Sequence, residues 1–182
     1  MNTNHSHAEF DQSKVKPKTP KVSELLDNIK SVVLASIDED GTPTSSYAPF
    51  VQTDGSFQIL VSFMARHTKN LRDRKKVSVM FIEDESASKQ VYARHRLTID
   101  SEASEVEKGS PLWEKAITGL KDKHGKIVET LESLEDFIMI DLKPIKGAYV
   151  NGFGSAYFVN DQLEVLEHRT GAHGQHNVDS KK

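Results

Sequence analysis

Eight histidines and no cysteine leave imidazole and carboxylate as the ligand chemistry open to this chain. Thiolate metal sites and a cysteine nucleophile are excluded. Three of the histidines, His168, His173 and His176, fall within nine residues, with Gly171 and Gly174 between them. Neutral imidazole ligates iron, copper, zinc and nickel, and the glycines let such a segment fold over a partner surface. The spacing matches no zinc signature, and a solvated terminus without metal has the same composition. His67, in ARHTKNL, stands between a strand end and a basic helical turn. It is a ligand, an anion contact near a helix N-terminus, or an ordinary surface histidine. Alternation through Val91–Asp100 places Arg94 and Arg96 on one side and His95 with Val91, Ala93, Leu97 and Ile99 on the other. Two guanidinium groups so placed grip a pair of carboxylates or a phosphate; without a ligand they are a solvated face. His95 reads as a core histidine. Asp136, between an acidic helix and an apolar strand, is a turn residue or a carboxylate that orients a metal-bound imidazole through its second nitrogen.

The elements that position these residues follow from periodicity. Val22, Leu25, Leu26 and Ile29 make one stripe of a short helix capped at Ser23. The period then changes to that of strands at SVVLASI (31–37), TPTSSYAPFVQ (42–52) and FQILVS (57–62), joined through Asp40-Gly41 and Asp54-Gly55 turns. A charged helical turn (65–74), a strand VSVMFIED (77–84) and the alternating segment 91–100 come next. Leu112, Trp113, Ala116, Ile117 and Leu120 predict a helix entered at Ser110-Pro111 and broken at His124-Gly125; Ile127, Val128, Leu131 and Leu134 continue helically. Strands return at FIMIDL (137–142) and through AYVNGFGSAYFV (148–159), where Gly147, Gly152 and Gly154 mark bulges or close packing. The result is a mainly β, α+β chain: an antiparallel, nearly closed barrel with flanking helices. Residues 1–20 read as a disordered leader, 21–162 as the barrel domain and 163–182 as a histidine-containing C-terminal loop.

At 182 residues, 36% hydrophobic, the chain has the length for one core. Lysine and arginine number 24 against 27 acidic residues, so charge favours neither nucleic acid nor an anionic membrane as partner. The polar N-terminus is no secretory signal, and no apolar run reaches the roughly 20 residues of a membrane span. The expectation is a soluble, cytoplasmic protein.

Taken together, SYAPFV (46–51), ARHTKNL (65–71), VSVMFIEDE (77–85), SKQVYARHRLTID (88–100) and VNGFGSAYFV (150–159) resemble the HugZ/HutZ-type heme utilisation proteins, within the pyridoxamine phosphate oxidase-like, FMN-binding split barrels. The resemblance implies a homodimer with heme in a cleft between subunits. It also implies oxygen-dependent opening of the porphyrin with release of iron, using electrons from an external donor. It implies an axial histidine in the C-terminal loop, best matched by His173, with His176 and His168 as alternatives. Asp136 matches the carboxylate that hydrogen-bonds that histidine, from the opposite protomer; His67 and Arg96 match positions near the heme. Arg94 joins them from strand alternation, and Lys69 as a further cation for the propionates. Flavin-binding relatives carry a serine-basic-lysine pattern before a leucine, whose lysine grips the flavin phosphate. Aligned on Leu71, this chain has Ala65 for the serine and His67 for the lysine, which favours heme over FMN, while Arg66 and Lys69 keep residual flavin binding open. A heme carrier without turnover and a flavin-dependent oxidase are the alternative functions.

Overall fold

Short turns and, in most strands, inside–outside alternation fold the described residues into one antiparallel sheet. The computed structural model describes residues 20–168; residues 1–19 of the expected leader and the last fourteen residues lie outside them. Strands β1 (Ser31–Ile37), β2 (Pro43–Pro49), β3 (Val51–Thr53), β4 (Ser56–Ser62), β5 (Lys76–Ile82), β6 (Arg96–Val106) and β7 (Phe137–Val150) pair in the order β2-β1-β5-β6-β7-β4-β3. β8 (Ala156–Val159) pairs with β7, and β9 (Val165–His168) with β8. The ends of the seven-strand path, β2 and β3, are consecutive in the chain with Phe50 alone between them. The sheet must therefore curl until its edges meet, which makes the barrel. Four helices flank it: α1 (Val22–Leu26), α2 (Arg66–Arg74), α3 (Pro111–His124) and α4 (Ile127–Ser133).

The strand expected over 42–52 divides at Phe50. Pro49 has no N–H to continue a ladder, and the Phe50 ring turns inward, 5.9 Å from Phe57 and 4.8 Å from Phe81, centroid to centroid. The chain thereby changes partner from β1 to β4. Ser23 does not cap α1; it lies inside the helix, whose N-cap is Lys21. Ser110 does cap α3, its Oγ accepting the Trp113 N–H at 3.3 Å.

The segment 91–95 is not strand. Val91–Ala93 forms a 3-10 turn whose Tyr92 N–H donates to the Gln90 side chain, and the His95 N–H donates to Glu83 Oε1 at 2.9 Å. Local side-chain acceptors take the bonds a ladder would need. The strand expected over 148–159 is interrupted at 151–155, where Gly152 and Gly154 adopt φ of +121° and +67°. Part of the expected C-terminal loop is ordered as β9.

One core fills the barrel around Leu34, Phe50, Phe57, Phe81, Ile99 and Tyr149; a second joins α3 and α4 to the outside of β4 and β7 through Leu60, Trp113, Leu120, Val128 and Met139. At Gly147, where β7 crosses β6, a Cβ would lie 2.2 Å from the Thr98 carbonyl oxygen and 2.5 Å from Ile99 Cδ1. Across the outer face, Tyr47, Val33, Met80, Thr98, Ala148 and Phe158 are successive cross-strand neighbours on six strands. All six are partly or largely exposed, so this row is a mostly apolar stripe on the barrel surface.

Candidate functional site

His67 enters the structure in the first turn of α2, after Ala65 in extended conformation as N-cap. Its Nε2 is buried and has no hydrogen-bond partner among the described residues. The ring lines a cavity of about 250 Å³ walled by Tyr47, Leu60, Leu120, Val128, Leu131 and Phe137. A second imidazole, His124 at the end of α3, borders the same cavity, its Nε2 3.1 Å from the Phe50 carbonyl oxygen. The cavity is thus an apolar chamber with two ring nitrogens as its main polar handles.

Burial lowers the His67 pKa below the ordinary histidine value. Because the folded-state pKa is depressed, the unfolded chain takes the proton more readily. The resulting stability is present above the ordinary histidine pKa of about 6.5 and is lost as pH falls from there through the lower folded-state pKa. The urea midpoint should therefore drop as pH falls below about 6.5, and a His67→Gln variant should show a shallower drop. Equal slopes would mean that His67 takes up no proton on unfolding.

Asp136 stands at the rim of this chamber, immediately before Phe137. Its Oδ2 accepts the Ser62 hydroxyl at 2.6 Å, and its carbonyl accepts the Phe63 N–H at 2.8 Å. Ser62 and Phe137 both line the chamber with His67, so Asp136 is one hydrogen bond and one residue removed from its wall.

The arginine pair is corrected. Arg94 precedes β6 and turns back, its Nε donating to the Glu83 carbonyl at 3.1 Å and its Nη1 to Glu85 Oε1 at 2.9 Å. Arg96 begins β6 on the outer face, one step along from Thr98, with Nη1 on the Arg94 carbonyl at 3.3 Å. Arg94 and Arg96 do not alternate along one strand, because Val91–Ala93 is a turn and β6 begins at Arg96. His95 is not a core histidine: its side chain is 46% exposed, with Nδ1 3.9 Å from Glu83 Oε2.

The cations of α2 are occupied. Lys69 donates to Glu39 Oε2 at 2.9 Å, a bond that raises its pKa, and Arg66 pairs with Asp38, holding that carboxyl below its usual value. Arg74 donates to the carbonyls of Asp38 and Glu39 at 3.2 and 2.7 Å. His168 is hydrogen-bonded through Nε2 to the Gly154 carbonyl and packs edge-on against Tyr157, centroids 5.1 Å apart. His173 and His176 lie outside the described residues. Among the described residues no group of three or more His, Asp or Glu side chains is arranged to hold a metal ion, and no helix is long and apolar enough to cross a membrane.

Two site residues escaped the sequence reading. His124 was legible only as a helix break, although its spacing of four from Leu120 places it on the apolar face of α3. Nothing in the sequence marks Ser62.

Residues 19–151 match the family Pyridoxamine 5'-phosphate oxidase. Heme oxygenase HutZ of Vibrio cholerae serotype O1 is 42% identical over 155 residues, 85% of this chain and 88% of that protein. The chain is a HutZ-type member of the pyridoxamine 5'-phosphate oxidase family. The solved structure of Vibrio cholerae HutZ, described there as a heme storage protein, superposes with a TM-score of 0.65 at 42% identity, covering 68% of this chain and 87% of that one. Campylobacter jejuni ChuZ superposes with a TM-score of 0.74 at 29% identity, covering 83% of this chain and 63% of that one. In this HutZ-type chain, Ala65 and His67 line one apolar chamber.

Proposed function

We propose that this chain binds heme and opens its macrocycle in an oxygen-dependent reaction that releases iron, as a heme oxygenase-like oxidoreductase. The observation that carries the reading is the unpartnered, buried Nε2 of His67 in an apolar chamber, where a flavin phosphate would require a cation. Arg66 and Lys69, the nearest cations in sequence, are held by Asp38 and Glu39. The name of the HutZ relative adds support.

The residues fit a porphyrin in one particular way. A cavity of about 250 Å³ falls below the roughly 300–1,000 Å³ of pockets that enclose a small ligand, so it admits an edge of the macrocycle. The remainder lies along the apolar outer stripe and is covered by a second copy, giving a homodimer with heme at the subunit interface. Arg96, on that outer face, is the cation best placed for a propionate. Lys69 joins it once released from Glu39, an exposed pairing that holds weakly, and Arg94 once released from both Glu85 and the Glu83 carbonyl. His173 is the axial ligand of this proposal; His176 and His168 are the alternatives, the last already engaged by Gly154. Asp136 accepts the second N–H of the axial imidazole, from the other protomer, and fixes its orientation. His67 offers a neutral ring nitrogen across the chamber, and its apolar walls exclude water. When bound, heme supplies iron-centred oxygen chemistry on its own ring, with electrons from an external donor.

The description of the solved Vibrio cholerae protein as a heme storage protein favours a second reading, in which heme is held without turnover. One experiment separates them. Purified protein is loaded with hemin, then given reductant and oxygen. Saturable loading to one heme per subunit followed by loss of the Soret band and release of iron is the expected result. A persistent Soret band means storage, and no saturable band means that heme is not the ligand.

A further inference from the structure

The carboxylate of Asp136 does not stand alone, and what holds it is determined by the proton count of a single hydroxyl. A serine hydroxyl has one proton to give and two lone pairs. Ser62 Oγ accepts the Met64 N–H at 3.2 Å, so one lone pair is taken by the backbone that follows β4. Its proton then goes to Asp136 Oδ2, 2.6 Å away, an acceptor-only group when ionised. The Ser62 carbonyl is anchored as well, accepting Thr68 Oγ1 at 2.8 Å from the first turn of α2, and Thr68 is fully buried. Across the strand pair, Ser62 opposes Phe137, the residue after Asp136. The serine is thus fixed from three sides before it touches the carboxylate, while Asp136 Oδ1 carries no hydrogen bond among the described residues. One oxygen is held and the other is without a hydrogen bond among the described residues, beside the lining residues Ser62 and Phe137.

We infer that Ser62 is a positioning residue that orients the Asp136 carboxylate by donating to Oδ2, leaving Oδ1 to receive the N–H of the imidazole that ligates heme iron. The inference rests on the role given to Asp136 under Proposed function. Without the hydroxyl, the half-buried carboxylate rotates and hydrates, and its hydrogen bond to the imidazole lengthens. The ring loses anionic character and its bond to iron weakens.

The readout is the iron–imidazole stretching frequency in resonance Raman spectra of the ferrous, heme-loaded full chain, with the iron midpoint potential as a second measure; neither moves when a distant packing defect is introduced. Asp136→Asn sets the full displacement, a lower frequency and a higher potential. Ser62→Ala is expected to shift both in the same direction by a smaller amount, and Ser62→Thr, which keeps the hydroxyl, to stay at the wild-type values. In the Asp136→Asn background, Ser62→Ala is expected to add nothing. If Asp136→Asn shifts the spectrum and Ser62→Ala does not, the positioning role is overturned and the reading of Asp136 stands. If neither shifts it, both fall. A Ser62→Ala shift that is opposite in sign, or that persists beside Asp136→Asn, overturns the inference, because the hydroxyl then acts by another route.

Discussion

Replacing Gly147 with alanine is expected to lower the thermal midpoint by about 6–12 °C, the equivalent of about 3 kcal/mol in a domain of this size. The nearest atom to the added methyl would be the Thr98 carbonyl oxygen at 2.2 Å, and the next Ile99 Cδ1 at 2.5 Å. A side-chain end can swing away; a carbonyl in the β6–β7 ladder cannot move without breaking the pairing between Ala148 and Thr98 or between Gly147 and Ile99. This is the longest strand pair in the sheet and joins the outer stripe to the rest of the barrel. Gly109→Ala is the control: Gly109 has φ +80° but nothing within 4 Å of its Cβ position, so it tests backbone strain without crowding. Calorimetry on both variants separates the two costs. An unchanged midpoint in Gly147→Ala would show that crowding at Gly147 contributes nothing.

Hemin affinity is expected to fall by more than about 100-fold in His173→Ala, because loss of an outer-shell partner alone costs about 10–100-fold and loss of the ligand must cost more. The same titration with His176→Ala and His168→Ala should stay within a few-fold of the parent chain. His168 is expected to be the most neutral in hemin titration, since its Nε2 is committed to the Gly154 carbonyl and its ring to Tyr157. Retained affinity in His173→Ala together with a large loss in His176→Ala would move the ligand three residues along the chain. Retention in all three variants would remove the C-terminal segment from the site.

The strand and turn grammar of the barrel was readable because it is local. Asp54-Gly55 closes a two-residue hairpin, with Thr53 opposite Ser56 and φ of +53° and +85° at the turn, as a two-residue hairpin of this composition requires. Pro111 at the start of α3 and the break at Gly125 are equally local signals. His67 and Asp136 could be named because a family resemblance aligned them; the fold puts His67 in the chamber wall and bonds Asp136 to its lining residue Ser62. The strand expected beneath the arginine pair failed for a reason periodicity cannot see. Alternation of side-chain type continues through 91–95, but Gln90 and Glu83 offer the backbone side-chain acceptors and the chain turns instead. The capture of Lys69 by Glu39 and the bond from Ser62 to Asp136 are contacts across 30 and 74 residues of sequence, set by tertiary packing alone.

Phe50 is gripped at two points by the last turn of α3: His124 bonds its carbonyl, and the Lys123 ammonium sits 3.6 Å from its ring centroid. The residue so clasped is the one at which the sheet switches partners. A guest pressing on His124 from inside the chamber therefore tugs on the barrel's own clasp. Breathing of the chamber wall and parting of β2 from β3 become a single movement, and amide exchange along both strands should slow together when the chamber is filled.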